Sequence, residues 1–137
     1  MNYWVNVISR DHVQRGVAGG FTQANHGKNT HLRRLKKDDW LIFYSPKNDY
    51  EGKEPLQAFT AIGQIADDEP YQFEMSPDFI PWRRNVTFHS CQELPIRPLI
   101  DDLEFIQDKT HWGFKFRFGL FQISEHDFEL LKSGMLG

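Results

Sequence analysis

One cysteine, Cys91, is the only thiol in this chain of 137 residues. A lone thiol closes no internal disulfide, and that usage points to a reducing compartment, the cytoplasm. Long apolar runs are missing too. The mean hydropathy is −0.58, which excludes a hydrophobic membrane-spanning helix as an expectation. The opening MNYWVNVISR carries its charge at the end and lacks an apolar core, so no secretory signal is expected there. Ligand-pair spacing is absent among the six histidines, and Cys91 has no second cysteine near it, so neither a metal nor a cofactor is expected. Gly27-Lys28 fails as a phosphate loop, because the positions that need Gly and Ser/Thr hold Thr22 and Asn29. Ser9, Asp11 and His12 lie too close along the chain to converge as a triad, and Asp67-Asp68-Glu69 before Pro70 reads as an acidic turn. With no catalytic constellation, the expectation is a binding protein and not an enzyme.

What the chain does have is aromatic surface. Twelve Phe, four Trp and four Tyr make 15% of the residues, a composition that favours sheets and large buried contacts. At this length one domain, residues 1–137, can bury a core without staples. The net charge is only −3, but it is unevenly placed. Residues 1–37 carry seven basic side chains against one acid, Asp11, while the rest carries nine basic and eighteen acidic ones. A basic third on an acidic protein is a candidate anion-facing surface.

Tyr3–Ile8 reads as a strand rich in aromatic and β-branched residues, followed by a short helix over 11–15 that Gly16 should stop. Residues 16–31, rich in Gly and amides, have no clear period and predict an irregular excursion near the functional site. Strands are expected at 40–45, 57–65, 71–75 and 84–89, and a short helix over 96–103. Residues 114–123 read as a strand whose first residues could be helical. Ser124-Glu125-His126-Asp127 resembles a capping box, and Phe128, Leu131 and Met135 then fall on one helical face. The sum is an α+β domain with a curled sheet or small barrel.

Aromatic residues interleave with Arg, amides and hydroxyls: Trp4 near Asn6 and Ser9, Tyr44 before Ser45, Phe79 and Trp82 before Arg83-Arg84, and Trp112 ahead of Arg117. Such mixtures suit a flat polar ligand, stacked on a ring, read along its edge and neutralised at its phosphate. At these residues the chain resembles bacterial EVE-domain proteins. The resemblance rests on Tyr3-Trp4-Val5-Asn6-Val7, Ser9-Arg10-Asp11-His12-Val13 and Gly16-Val17-Ala18-Gly19-Gly20-Phe21. It continues through Leu32-Arg33-Arg34-Leu35-Lys36 with Asp39-Trp40, Tyr44-Ser45-Pro46, Gln57–Gly63, Phe79–Val86, and Trp112-Gly113 with Phe116-Arg117 and Gly119-Leu120-Phe121.

The resemblance implies a PUA-like fold, a twisted, mainly antiparallel β-barrel with peripheral helices. The wider group includes YTH domains, which hold a methylated adenine of RNA in an aromatic cage, and EVE domains are regarded as the corresponding readers of modified DNA bases. The implied function is recognition of a modified base flipped into an aromatic pocket, with any cleavage left to a nuclease or helicase partner acting in trans. An RNA-binding domain and a binder of a small planar metabolite are the alternatives. Chemistry and resemblance together place the pocket where the end of the first strand, Tyr44-Ser45-Pro46 and the 79–84 loop meet. Trp82, Phe79 or Tyr44 would stack on the base, with Trp4 and Trp112 also eligible. Asn6, Ser9 and Ser45 would read the edge, and Arg83, Arg84, Lys28, Arg15 and Arg33 would hold phosphate.

Overall fold

The structure, a computed structural model, describes residues 1–24 and 28–137. Its frame is one curled sheet ordered β2-β6-β4-β3-β1-β8. The strands on that path are β1 (Tyr3–Val7), β2 (Phe21–Gln23), β3 (Trp40–Lys47), β4 (Pro55–Ile65), β6 (Trp82–His89) and β8 (Leu120–Ile123). Two-residue strands β5 (Tyr71–Gln72) and β7 (Leu94–Pro95) pair with β6 and β4. Among the described residues every strand pairing is antiparallel except β1 with β3, which run parallel from Tyr3↔Trp40 to Val7↔Tyr44. A parallel pair needs a crossover. Here it comprises α1 (Arg10–Gly19), β2 and α2 (Thr30–Arg34), and so it carries the basic third of the chain across the mouth of the sheet.

Both faces of the sheet are buried, which is why β3 reads as the continuous apolar run Leu41-Ile42-Phe43-Tyr44. Alternation divides it. Trp4, Leu41, Phe43, Ala61 and Val86 join Val13, Leu32 and Leu35 inside the curl. Val5, Ile42, Tyr44, Phe59 and Ile62 point the other way, against Phe128, Leu131 and Met135 of α3 (Glu125–Leu136). Phe43 pairs with Ala61 but Tyr44 with Phe59, so Thr60 is an extra residue that bulges β4. The Ser45 hydroxyl lies 2.8 Å from that of Thr60 and donates to the Ile8 carbonyl at 2.7 Å. The bulge thereby fixes Ile8 just beyond the end of β1.

The start of α3 is clamped. Ser124 Oγ accepts from the Asp127 amide, and the buried Asp127 carboxylate accepts the amides of Glu104 and Phe105 at 2.8 and 2.9 Å. His126 Nδ1 lies 3.0 Å from Asp127, and that hydrogen bond raises the imidazole above its ordinary pKa. Glu104, His126 and Asp127 are close enough to share a cation, but both Asp127 oxygens are already engaged in holding the helix start.

Several boundaries differ from the sequence expectation. Gly16 does not stop α1. It sits inside the helix because a Cβ there would meet the Phe21 carbonyl oxygen at 2.4 Å, and the helix ends at Gly20, which adopts the left-handed conformation (φ 74°). The expected excursion over 16–31 instead supplies the end of α1, strand β2 and the start of α2, while Asn25, His26 and Gly27 fall outside the described residues. Over 96–103 only a 3-10 turn forms, Arg97–Leu99, with Pro98 at its start. Residues Phe114–Phe118 form a second 3-10 turn before Gly119 (φ 75°) reverses the chain into β8.

Candidate functional site

The sheet path ends at β2 and β8, and two adjoining cavities lie where α1, β1, β2 and β6 converge. The first, of about 190 Å³, has apolar walls of Ile8, Val13, Phe21, Phe43 and Phe88. Met75 and Phe79, from the β5–β6 connection, stand on its rim, and His12, Arg15, Thr22, Gln23 and Arg83 add polar atoms. That volume is below the ~300 Å³ at which pockets begin to suit drug-sized ligands, and fits a single planar ring system. The second cavity, of about 450 Å³, shares Ile8 and Gln23 with the first and is bordered by Asn6, Lys28, Thr30, His31 and Gly119.

The walls are held rigidly. Arg83 projects from β6 with its guanidinium carbon 3.7 Å from the Phe21 ring centre and 4.0 Å from that of Phe73. Its Nε donates to Gln23 Oε1 at 2.9 Å, so a flat cation is fixed by two rings and an amide. Asp11 accepts from the Ser9 hydroxyl at 2.6 Å and from the His12 and Tyr50 amides at 2.8 and 3.3 Å. Burial pushes its carboxyl up, but those hydrogen bonds outweigh it and hold the group below its ordinary pKa. The His12 ring, which borders the cavity, stacks on Tyr50 at 5.0 Å. One wall atom is unsatisfied. Thr22 is 3% exposed, and among the described residues its Oγ1 has no hydrogen-bond partner. An unpaired buried hydroxyl costs about 1–3 kcal/mol, and a ligand that pairs with it recovers that cost.

Of the residues expected to form the site, Asn6, Lys28, Arg15, Phe79 and Arg83 border the two cavities. The others lie elsewhere, for physical reasons. Trp4 is 4% exposed, and its indole N–H donates to the buried Asp39 carboxylate at 2.9 Å. Tyr44 faces the outer core, its ring stacked on Phe116 at 3.9 Å, and burial drives its phenol far above the ordinary pKa. Ser45 and Ser9 spend their hydroxyls on Ile8 and Asp11. Arg84 is fully buried in an internal ion pair with Asp67. Trp82 packs half-buried against the inner core, Trp112 lies on the opposite face of the sheet beside Arg97, and Arg33 projects from α2 into solvent.

Ile8, His12, Val13, Phe21, Thr22, Phe43, Met75 and Phe88, all of which border the first cavity, are not singled out by the sequence reading. Phe88 stands at period two from Val86, a signal that the inward face of β6 reaches the cavity. Replacing Trp4 by Phe tests the correction. It removes one charge-assisted hydrogen bond from Asp39 and should cost about 1.5–3 kcal/mol of stability in urea denaturation, with ligand binding unchanged.

A curled mixed sheet flanked by helices, with a small aromatic cavity at its open side, defines a PUA-like domain. The chain belongs to the EVE-domain family, whose pattern it matches over residues 2–133. It is 65% identical to a UPF0310 protein of Mycolicibacterium vanbaalenii, an alignment covering 99% of this chain and 94% of the relative. It is 42% identical to the UPF0310 protein YdcG of Bacillus subtilis, over 98% and 92% of the two chains. Among solved structures, protein Atu2648 of Agrobacterium tumefaciens superposes with a TM-score of 0.63 at 14% identity, covering 98% and 93%. Human THYN1, solved in complex with DNA containing 5-methylcytosine, superposes with a TM-score of 0.58 at 13% identity, covering 97% and 96%.

Proposed function

We propose that this protein binds nucleic acid through one face and reads a modified base, in DNA, flipped into the first cavity. The observation that carries the reading is the cavity itself. It is of single-ring size, walled by Phe21, Phe43 and Phe88, it has an unpaired Thr22 hydroxyl inside and it has Arg15 and Arg83 at its border. A base leaving a duplex costs a few kcal/mol (~2–4) of stacking and pairing. A ring such as Phe79, 43% exposed at the rim, returns ~1–3 kcal/mol by stacking. Thr22 and Gln23 offer hydrogen bonds to the base edge and Arg15 attracts phosphate at the first cavity, while Asn6 and Lys28 offer the same chemistry to a neighbouring nucleotide at the second. The complex of the distantly similar THYN1 with 5-methylcytosine DNA supports the same class of ligand. In this reading the protein binds without cutting, and cleavage belongs to a nuclease or helicase acting in trans.

A free nucleobase or similar planar metabolite is the second reading, and one observation favours it. Only part of the basic third borders the cavities: Arg10 is paired with Glu93, and Arg34 lies 5.0 Å over the Trp4 ring. A binding screen separates the two readings, using DNA and RNA oligonucleotides with single modified bases, their unmodified controls and the free nucleosides. The proposal expects a modified oligonucleotide to bind best, with affinity falling as salt rises. Nucleosides binding as tightly as oligonucleotides, without salt dependence, would favour the metabolite. Thr22→Val adds an internal check. It removes the unpaired hydroxyl at constant shape, so the free protein should melt at the same temperature or higher. Binding of the preferred ligand should weaken by about 1 kcal/mol, roughly fivefold. Unchanged binding would remove Thr22 from the recognition site.

Among the described residues no helix is long and apolar enough to cross a membrane.

A further inference from the structure

A second aromatic surface adjoins the second cavity. Residues 111–118, His-Trp-Gly-Phe-Lys-Phe-Arg-Phe, contain no acid. The 3-10 turn sorts its rings. Phe116 turns inward and stacks on Tyr44 at 3.9 Å, which anchors the segment on the outer core. Phe114 and Phe118 stay outside, 58% and 53% exposed, edge to face with ring centres 5.9 Å apart. The Arg117 guanidinium lies 5.7 Å from the Phe114 ring and the Lys115 ammonium 5.8 Å from that of Phe118. An open groove of about 630 Å³ runs along these rings. Packing does not account for them, since Trp112 and Phe116 are the rings that anchor the segment on the outer core, and exposed paired phenylalanines of this kind mark interaction surfaces.

The segment leads along the chain into the wall of the second cavity. Gly119, next to Phe118, borders the second cavity, and its carbonyl accepts the Val7 amide at 2.8 Å. A Cβ at Gly119 would meet His31, on the same cavity wall, at 3.1 Å, so the backbone that follows Phe118 forms part of that wall. We infer that Phe114 and Phe118 form a stacking ledge for the nucleotides flanking the base held in the first cavity, with Lys115 and Arg117 facing their phosphates. Rings with a cation beside each are the elements with which proteins hold unpaired strands irrespective of sequence. The inference rests on the nucleic-acid reading and adds the strand's path: first cavity, second cavity, ledge.

The test compares the wild-type protein with the double variant Phe114→Ala/Phe118→Ala. The probes are 5-methylcytosine and cytosine deoxynucleotides, each as a mononucleotide and as a single strand of about seven nucleotides, a length within the usual site size. The wild type should gain roughly 10- to 100-fold in affinity from mononucleotide to oligonucleotide, as expected for one or two stacked bases. The variant should lose most of that gain while keeping its mononucleotide affinity and its melting temperature, since both rings are exposed. Lys115→Gln/Arg117→Gln, which keeps the rings, should lower the salt dependence of the oligonucleotide alone. An undiminished length gain in the phenylalanine variant overturns the ledge and leaves the base reading intact. A wild type with no length gain overturns it as well. A gain that the variant loses, in a protein indifferent to the methyl group, keeps the ledge and counts against 5-methylcytosine as the base. A variant that changes only self-association, on sedimentation, assigns the ledge to a second copy and overturns the proposal.

Discussion

Arg84→Ala should destabilise the protein by about 3–5 kcal/mol, the range for breaking a buried ion pair from one side. Arg84 is fully buried, and each guanidinium nitrogen is engaged. Nε donates to Asp67 Oδ1 at 2.6 Å, Nη2 to the Asp67 carbonyl at 2.9 Å, and Nη1 to the carbonyls of Leu32 and Leu35 at 2.7 and 2.6 Å. Those last two are carbonyls at the end of α2, where a helix runs out of amide donors and the Leu35 amide reaches the Leu32 carbonyl only at 3.4 Å. Arg84 therefore serves as the C-terminal cap of α2 and ties it to β6 and to the turn after β4. Lysine cannot reproduce four bonds from a planar fork, so Arg84→Lys should recover little. A domain of this kind has about 5–15 kcal/mol in total, so urea denaturation should show a large drop in midpoint. Because α2 carries Thr30 and His31 of the second cavity, any loss of binding should follow the fraction unfolded. A variant that melts like the wild type yet loses affinity would return Arg84 to phosphate contact.

The neighbouring pairs Arg83-Arg84 and Phe43-Tyr44 explain how much of the site was legible. From the sequence both arginines read as phosphate contacts, whereas of the second pair Tyr44 alone reads as a site residue. Within a strand, successive side chains take opposite faces, so each pair must divide between two environments. Arg83 meets Gln23 and the cavity, while Arg84 is consumed by the fold. Phe43 lines the cavity, and Tyr44 stacks in the outer core. Choosing the member of each pair requires knowing which face is inside, and that depends on partners distant in sequence. The Thr60 bulge reverses the facing of β4 halfway along, and period counting along β4 alone does not register it. Strands β1, β3, β4 and β6 and helix α3 were readable because five or more residues repeat one period. Strand β2 was not, since Phe21-Thr22-Gln23 is three residues long and exists only by pairing with Arg83–Asn85, sixty positions away. Yet β2 contributes three cavity residues, so missing it meant missing the unpaired Thr22 hydroxyl. Arg15 and Lys28 were found from the opposite kind of signal, a charge imbalance that needs no partner to be seen.

Arg83→Lys should abolish base discrimination while leaving most of the salt-dependent affinity. As a phosphate contact, Arg83 would be replaceable by any cation. The geometry gives it a different part: its flat guanidinium lies between Phe21 and Phe73, at 3.7 and 4.0 Å, with Nε on Gln23. Each cation–π contact is worth about 0.5–2 kcal/mol at this degree of burial. The assembly fixes Phe21 and Gln23, two walls of the first cavity, against β6. Lysine keeps the charge and loses the plane, the fork and the stacking. The cavity walls should then loosen, and the preference for modified over unmodified oligonucleotide should fall about 10- to 100-fold, a loss of ~1.4–2.8 kcal/mol. The slope of log affinity against log salt should stay near the wild-type value, because the number of cations is unchanged. Arg83→Ala should lose both. Titrations of wild type, Arg83→Lys and Arg83→Ala at two salt concentrations give the answer. A lysine variant that retains full discrimination makes Arg83 a point charge, and the recognition of the base would then rest on Phe79, Thr22 and the inner phenylalanines without it.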